Sequence, residues 1–385
     1  MSAVIDRGDD DLEAQILDAI DRWVEREVRP IAREFDQADR YPEELVEQMK
    51  ELGLFGATIG TEYGGLGLSA STYAKVVARI CEVWMAPTGI FNSHLIMASC
   101  VERGGTEAQK NEFLPRFASG ELRGGIGLTE PNAGSDLQRI RTVAKRDGDR
   151  YIVNGTKTWI SNGIHGNCLA VLVKTDPTAE PAHRGMSVLL CEKGAGFTVG
   201  KKLKKLGYRS IDSAELIFDD FAVDASRLIG GREGEGFKQV AGGLELGRIN
   251  VAARGVGMAK GALDLALAYA REREAFGKPI AQHQAIALKL ADMSTRAEAA
   301  RLLVAEAATR FDAGKRCDLE AGRAKLFASE AALENATEGM RIFGGYSYST
   351  EYDIERFYRD APLMCIGEGT NEIQRLIITK ALLAQ

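Results

Sequence analysis

The chain of 385 residues carries near its end the segment Ile366-Gly367-Glu368-Gly369-Thr370-Asn371-Glu372-Ile373-Gln374-Arg375. In this segment the carboxylate of Glu368 lies between two glycines, which let a backbone approach a ligand closely. Thr370 is a residue type that caps helix N-termini, and apolar residues at helical spacing follow it. A helix N-terminus also attracts anions. The segment therefore predicts a carboxylate-bearing loop at a helix start. An ordinary capped helix with a solvated glutamate is the alternative, and the rest of the chain must decide.

The overall composition is that of a soluble globular protein, with 45% hydrophobic and 27% charged residues, enough for about two or three domains. The net charge of −6 and the lack of a basic cluster argue against nucleic-acid binding. No apolar run reaches the roughly 18–20 residues of a membrane span, and the N-terminus resembles neither a secretory signal nor a transit peptide. The six cysteines form no CxxC pair and the four histidines lack ligand spacing, so we expect reduced thiols, a cytoplasmic location and no metal site.

The hydrophobic pattern changes twice and predicts three units. Residues 1–124 show helical periodicity without the strand–helix alternation of a Rossmann sheet. Residues 125–232 consist of short strand-like runs between tight turns, which predicts a small antiparallel barrel or sandwich. Residues 233–385 return to helix, and an apolar seam over residues 286–304 steps by four and three, as in a four-helix bundle. The predicted fold is mainly α, with a β unit in the middle.

Two local signals refine this division. Pro30 is expected to end the first helix, because proline cannot donate the helical hydrogen bond. Asp147-Gly148 and Asn154-Gly155 flank the run Arg150–Val153, which indicates a β-hairpin.

Two stretches in the β unit carry groups suited to a polar ligand. Residues 127–136 (GLTEPNAGSD) form a loop rich in hydroxyls and exposed backbone donors. Residues 157–163 (KTWISNG) place Trp159 and Ser161 at the same parity on a strand, so an aromatic ring and a hydroxyl are expected on one face. An ordinary Pro-Asn turn and a core tryptophan are the alternatives.

Two further stretches lie in the C-terminal unit. Residues 245–248 (ELGR) fall inside a helix, where the arginine either meets an anionic ligand or forms a salt bridge. Residues 273–280 (REAFGKPI), followed by His283 and Gln284, join two helices. A glycine–proline connection with flanking charges is the simpler explanation of this second stretch.

Together, in this order, these stretches resemble the acyl-CoA dehydrogenase family over essentially the whole chain. The motifs that carry the resemblance are TEPNAGSD at 129–136, KTWISNG at 157–163, REAFGKPI at 273–280 and EGTNEIQR at 368–375, supported by RIFGG at 341–345 and EYDIERFYRDA at 351–361. The resemblance implies an N-terminal helical domain, a middle β-barrel and a C-terminal four-helix bundle. It also implies FAD, a homotetramer, conversion of an acyl-CoA thioester to the trans-2-enoyl-CoA, and electron transfer to an electron-transfer flavoprotein.

The resemblance further implies roles for individual residues of this chain. Glu368 is the implied base, which removes the α-proton while the β-hydride passes to flavin N5. The implied FAD contacts are Leu128, Thr129, Ser135, Trp159, Ile160, Ser161, Thr370 and Glu372 and, around a subunit contact, Arg273, Phe276, His283, Gln284, Arg341, Gly344 and Gly345. The implied contacts to acyl-CoA are Ser135, Glu245, Arg248, Gly367 and Gly369.

Removal of the α-proton of a thioester requires a stronger base than an ordinary glutamate. The α-proton of a thioester is too weakly acidic for a carboxylate with a pKa of about 4.3. Burial can raise that pKa, and donors on the thioester oxygen, such as the backbone N–H of Glu368, can stabilise the enolate-like charge. Some relatives carry the base at the position that matches Gly247. Because glycine has no side chain, Glu368 is left without a rival.

Three residues depart from the family pattern. Gly367 stands where straight-chain enzymes often have an aromatic residue, which suggests a wider pocket and a branched, cyclic or otherwise bulky acyl group. Arg341 replaces the common glutamine and Ser347 the usual glycine. A positive charge at residue 341 would strengthen contact with the diphosphate of FAD.

Other reactions on the same fold are the alternatives. An acyl-CoA oxidase is usually longer than this chain. A decarboxylating or desulfinating member needs a polar pocket floor, whereas the helix segment Thr88-Gly89-Ile90-Phe91 is mostly apolar. A flavin-poor partner subunit of a mixed tetramer would require a lost base or lost flavin contacts.

Overall fold

The protein is described here by a computed structural model, which covers residues 7–384 except for the side chains of residues 7–10 and 241–245. Most of the described chain is helical. The α-helices are α1 Arg7–Trp23, α2 Arg29–Ala38, α3 Glu43–Glu51, α4 Ala70–Cys81, α5 Ala86–Gly104, α6 Glu107–Ala118, α7 Gly236–Glu272, α8 Gln284–Asp312, α9 Asp318–Phe343, α10 Ile354–Ile366 and α11 Asn371–Leu383. None of these helices is long and apolar enough to cross a membrane.

The N-terminal helices continue through Pro30, so the expectation that this residue ends the first helix is wrong. Between α1 and α2 the chain forms a turn of π-helix, Val24–Val28. Pro30 then occupies the first turn of α2, where a missing N–H matters least because the wider π turn has already interrupted the α-helical ladder.

The middle of the chain forms one mixed sheet. Its strands are β1 Gly124–Gly127, β2 Val143–Asp147, β3 Arg150–Ser161, β4 Cys168–Lys174, β5 Met186–Glu192, β6 Phe197–Lys202 and β7 Ser213–Asp224. The order across the sheet is β1-β4-β2-β3-β7-β6, with β5 also paired to β4. The predicted hairpin exists between β2 and β3. Asn154-Gly155, however, lies inside β3 at a shift of register with β7, so it forms a bulge and not a second turn.

The last third of the chain packs α7, α8 and α9 side by side, and α10 and α11 lie against α9. On α8 the predicted seam is buried from Met293 to Val304. Helices α7 and α9 approach closely, because a Cβ at Gly255 would lie 2.6 Å from the carbonyl oxygen of Ala328. Helix α5 packs between strand β1 and α7, so the β sheet and the C-terminal helices meet along it. The unit boundaries at residues 125 and 233 stay predictions.

Candidate active site

The loop that carries Glu368 joins α10 to α11 and confirms the predicted capped helix start. Thr370 Oγ1 accepts a hydrogen bond from the backbone N–H of Ile373 at 3.3 Å. Glu368 has φ +51° and Gly369 φ +89°, so two successive residues are left-handed. That conformation is unfavourable for glutamate and persists where surrounding structure enforces it, which is typical of functional sites.

The Glu368 carboxylate points at helix α7. Its Oε1 accepts a hydrogen bond from Asn92 Nδ2 at 3.1 Å. Its Oε2 has no partner among the described residues and would lie 2.9 Å from a Cβ at Gly247. Burial raises the pKa of Glu368 above its usual value, while Arg254, Lys325 and the hydrogen bond from Asn92 oppose this rise. Gly247 therefore does more than remove a rival base, because it leaves the space that the Glu368 carboxylate occupies.

The buried ammonium group of Lys325 anchors the end of the Glu368 loop, where helix α11 begins. Lys325 on α9 is fully buried and donates from Nζ to Asn371 Oδ1 at 2.9 Å, and Ser329 Oγ donates to the same oxygen at 3.0 Å. Gln374 Nε2 donates to the carbonyl of Gly369 at 3.1 Å. Burial lowers the pKa of Lys325 to about 8. These contacts fix the turn that carries Glu368.

Buried polar side chains from three helices surround the carboxylate, and we call Tyr73, Asn92, Asn250 and Arg254 the polar floor. Tyr73 Oη donates to Asn92 Oδ1 at 3.2 Å and accepts from Asn250 Nδ2 at 2.8 Å. The Asn250 Oδ1 atom and the Arg254 Nε atom have no partner among the described residues. The expectation of an apolar floor, drawn from residues 88–91 alone, is therefore wrong, because the polar groups come from positions that are distant in the chain.

The two motif stretches of the β unit are joined by a buried ion pair. Lys157 Nζ lies 2.8 Å from Glu130 Oε1 and also donates to the carbonyl of Leu128 at 3.1 Å. Glu130 in turn accepts hydrogen bonds from the backbone N–H groups of Arg141 and Thr142 at 2.6 and 3.0 Å. This pair holds the 127–136 loop against strand β3. The hydroxyl of Ser135 is exposed on that loop.

Trp159 lies at a second bulge of β3, between Lys157 and Ile160. Its φ is +61° and 58% of the residue is exposed, whereas Ser161 is partly buried and Ile160 is buried. The bulge leaves the neighbouring Lys157 and Thr158 both buried, and beyond it the buried Ile160 alternates with the less buried Trp159 and Ser161, so the burial pattern agrees with the prediction that Trp159 and Ser161 share one face. A large aromatic side chain held exposed in a left-handed conformation is a strong sign of a ligand contact.

Asn162 ties this end of β3 to the helix that carries Asn92. Its Nδ2 donates to the carbonyls of Ile90, on α5, and Gly124, on β1, at 2.8 and 2.7 Å. The strand end that bears Ser161 and the helix that bears Asn92 are therefore anchored to one another.

The other predicted FAD contacts form a separate exposed group. Phe276 is 96% exposed with φ +52°, and its ring meets the edge of His283. The Arg273 guanidinium lies over the ring of Tyr346, next to the exposed Gly344 and Gly345. Gln284, the first residue of α8, is exposed as well. Within residues 7–384, no hydrogen bond or ion pair joins this group to Trp159, Ser161 or Glu368.

The departures from the family pattern have local explanations. Arg341 forms an ion pair with Glu338 on its own helix. Ser347 is buried and donates from Oγ to the carbonyl of Gly344 at 2.8 Å, which closes a turn that glycine could not close this way. A Cβ at Gly367 would lie 3.6 Å from Leu363 Cδ1, so Leu363 lines the space beside this glycine.

The remaining predicted contacts to FAD and acyl-CoA lie in different environments. Arg248 forms an ion pair with Asp318, with 3.2 Å between Nη1 and Oδ1. The side chain of Glu245 lies outside the described residues. Glu372 is exposed in the first turn of α11, and Thr129 and Leu128 are partly buried. Sequence reasoning missed the polar floor and Lys325. The spacing of Gly247, Asn250 and Arg254, which is i, i+3 and i+7, was the available signal for a shared helix face.

Comparison with known proteins identifies the family of this chain. The N-terminal, middle and C-terminal domain models of acyl-CoA dehydrogenases match residues 10–121, 125–221 and 234–383. The chain belongs to the acyl-CoA dehydrogenase family and is an oxidoreductase of that family.

Individual relatives cover nearly the whole chain. The short-chain-specific acyl-CoA dehydrogenase of Clostridium acetobutylicum is 40% identical over 359 residues, which is 93% of this chain and 94% of that protein. The butyryl-CoA dehydrogenase of Megasphaera elsdenii has a TM-score of 0.93 and 37% identity, and the match covers 98% of this chain and 100% of that one. A chain from a structure described as the electron transferring flavoprotein of Acidaminococcus fermentans has a TM-score of 0.94 and 38% identity, with full coverage of both chains.

Proposed function

We propose that this protein catalyses the FAD-dependent α,β-dehydrogenation of an acyl-CoA thioester, with Glu368 as the base. The observation that carries the proposal is the Glu368 carboxylate itself. It is held in a left-handed turn, one of its oxygens has no partner within the described part of the chain, and Gly247 leaves room for it. An oxygen without a partner is free to take a proton from a substrate.

The residues of the β unit fit a flavin. The hydroxyls of Thr129 and Ser161 have no hydrogen-bond partner among the described residues. The exposed Trp159 lies two residues before Ser161, and the carbonyl of Thr129 accepts a hydrogen bond from the backbone N–H of the adjacent Thr158 at 2.9 Å. Such hydroxyls suit the heteroatoms of a planar ring, and the exposed indole suits its face or edge. Leu128, Ser135, Ile160, Thr370 and Glu372 would complete the contacts within one subunit. FAD, when bound, supplies the redox chemistry by accepting the β-hydrogen as hydride.

Glu368 has two tasks in this proposal. Its raised pKa makes the carboxylate a stronger base, so removal of the α-proton is less unfavourable. Its backbone N–H has no acceptor among the described residues and is available to the thioester oxygen, where it would stabilise the developing negative charge. Asn92 holds Oε1 and leaves Oε2 for the proton. Gly367 and Gly369 would border the acyl-CoA, with Arg248 and Glu245 toward its CoA portion.

We further infer a homotetramer, with the sheet as a β-barrel domain and the C-terminal helices as a four-helix bundle. Phe276, on the β8–β9 turn (Glu274–Ala275 and Lys278–Pro279), and Leu376 on α11 are 96% and 65% exposed. A subunit contact over these two side chains would remove their apolar surface from water. Such a contact would bring Arg273, Phe276, His283, Gln284, Arg341, Gly344 and Gly345 to the FAD of a neighbouring subunit. The electron acceptor implied by the family resemblance is an electron-transfer flavoprotein.

The proposal is tested by mixing the FAD-loaded protein anaerobically with a panel of acyl-CoA thioesters and following loss of flavin absorbance. Glu368→Gln keeps the size and hydrogen-bonding shape of the side chain but cannot take the proton. We expect the variant to retain FAD and to bind acyl-CoA, with flavin bleaching slowed by at least about 1,000-fold. Bleaching of the variant at the wild-type rate would refute the assignment of the base.

A further inference from the structure

Arg254, in the middle of α7, is a buried cation that contacts no carboxylate among the side chains that the structure describes. The residue is 3% exposed, and its guanidinium donates to Tyr208 Oη at 3.2 Å and to the carbonyl of Thr88 at 3.3 Å. Its Nε has no partner among the described residues. Arg356, which is equally buried, pairs with Asp353 at 3.1 Å. Because a buried guanidinium without a carboxylate partner is costly, its retention here suggests a ligand.

The guanidinium lies on the same helix face as the space for the base. Gly247, Asn250 and Arg254 follow one another at i, i+3 and i+7, and a long side chain on a helix leans toward the helix N-terminus. Arg254 therefore reaches back along α7 toward Glu368.

The separation of the Arg254 guanidinium and the Glu368 carboxylate follows from their contacts with helix α5. Thr88 contacts Arg254 and Asn92 contacts Glu368, and four residues of helix rise about 6 Å. The cation and the base are thus about one helical turn apart along α5.

The groups between these two points are unsuited to a hydrocarbon chain. Asn92, Tyr73 and Asn250 form a chain of hydrogen bonds in which every residue is nearly or fully buried. The Asn250 Oδ1 atom has no hydrogen-bond partner in the described residues. A site built from buried polar groups rejects a ligand that leaves them unpaired, and it favours one that supplies the missing partner.

We propose that the polar floor receives the far end of the acyl group and that this end is a carboxylate bound by Arg254. The substrate class is a short dicarboxylic acyl-CoA thioester, whose second carboxylate replaces the missing ion-pair partner of Arg254. Tyr208, which is held by a hydrogen bond from its backbone N–H to Asp360 at 2.5 Å, keeps the guanidinium in position. The inference rests on the proposed dehydrogenation and names the substrate class of the same site.

The test compares thioesters of equal carbon number that differ only at the far end. Succinyl-, glutaryl- and adipyl-CoA are paired with butyryl-, valeryl- and hexanoyl-CoA, and anaerobic flavin bleaching by the holoenzyme gives a rate at low thioester concentration for each. We expect the carboxylated member to react faster in at least one pair. Arg254→Gln should reduce that preference by about 10- to 100-fold, as expected for loss of a charged hydrogen bond.

Arg356→Gln is the matched control, because it removes another buried arginine without touching the polar floor. We expect it to leave the ratio of rates within each pair unchanged, even where FAD content or melting temperature falls. If the methyl-ended thioester bleached the flavin of the wild-type protein faster at every chain length, the inference would be overturned. An equal loss of rate with both classes in Arg254→Gln would overturn it as well, since that result assigns Arg254 to charge balance with Glu368. If no thioester bleached the flavin, the proposed function itself would fail.

Discussion

Gly247→Ala should slow catalysis while making the fold slightly more stable. An added Cβ would lie 2.9 Å from Glu368 Oε2 and 3.6 Å from Ile96 Cδ1, so only the carboxylate must move. Ordinary van der Waals contact requires about 3.5 Å, so the carboxylate oxygen must move by about 0.6 Å. Because misplacement by about 1 Å can cost roughly 100-fold in rate, we expect flavin reduction to slow by about 10-fold. Replacing a glycine inside a helix by alanine stabilises by about 0.5–1 kcal/mol, so the melting temperature should not fall.

Stopped-flow measurement of anaerobic flavin reduction, with thermal unfolding on the same samples, checks this prediction. Gly322→Ala on α9 is the matched control, because its Cβ would lie 3.3 Å from Ile378 Cγ1 and in ordinary contact, at 3.8 and 3.9 Å, with Gln374 and Ile377, and it would not meet the Glu368 carboxylate. The control should gain helix stability without losing rate. An unchanged rate in Gly247→Ala would show that the carboxylate has freedom that its contact with Gly247 does not limit, and the geometric reasoning would be refuted.

Two predictions concern buried charges. Burial lowers the pKa of Lys325 from 10.5 to about 8. Between these two pH values the Lys325 side chain is protonated in the unfolded chain and neutral in the folded one. The contribution of Lys325 to the free energy of unfolding therefore rises from about pH 8 to 10.5, by roughly 3 kcal/mol. The difference in urea unfolding free energy between wild type and Lys325→Met should grow over this range, and a constant difference would contradict it. Glu130→Gln leaves the Lys157 ammonium buried without its counter-charge, so we expect a loss of about 3–5 kcal/mol in unfolding free energy and weaker FAD retention. Chemical unfolding and flavin content measure this, and a loss below about 1 kcal/mol would show that the pair does not hold the loop.

Backbone strain gathers around the candidate site. Trp159, Asn162, Tyr208 and Glu368 all have φ values between +51° and +61°. None of them is glycine, and each is a side chain that the site uses or a neighbour that anchors it. Such conformations are unfavourable and need surrounding contacts to maintain them. The buried ion pair of Lys157, the hydrogen bonds of Asn162 and the cation of Lys325 supply those contacts.

The local patterns of the sequence predicted a large part of this fold. Thr370 as an N-cap, Asp147-Gly148 as a hairpin turn and the seam of α8 each depend on neighbouring residues, and each is present. The predictions that were wrong concern places where local rules compete with packing. Pro30 lies after a π turn and Asn154-Gly155 lies in a bulge inside β3, so in both places the backbone follows the packing of the whole element instead of the local helix-end or turn signal.

The sequence by itself determined the class of structure and the identity of the proposed base. The glycines around Glu368 and the lack of a side chain at Gly247 can be read from the sequence, because a missing side chain is a property of the residue alone. Only the tertiary structure decided what surrounds that base. Tyr73, Asn92, Asn250 and Arg254 come from three helices, and Lys325 comes from a fourth. Whether a polar side chain lies in the core or in solvent depends on how helices distant in the chain pack together. This packing places Arg254, which contacts no carboxylate among the described residues, about one helical turn from Glu368.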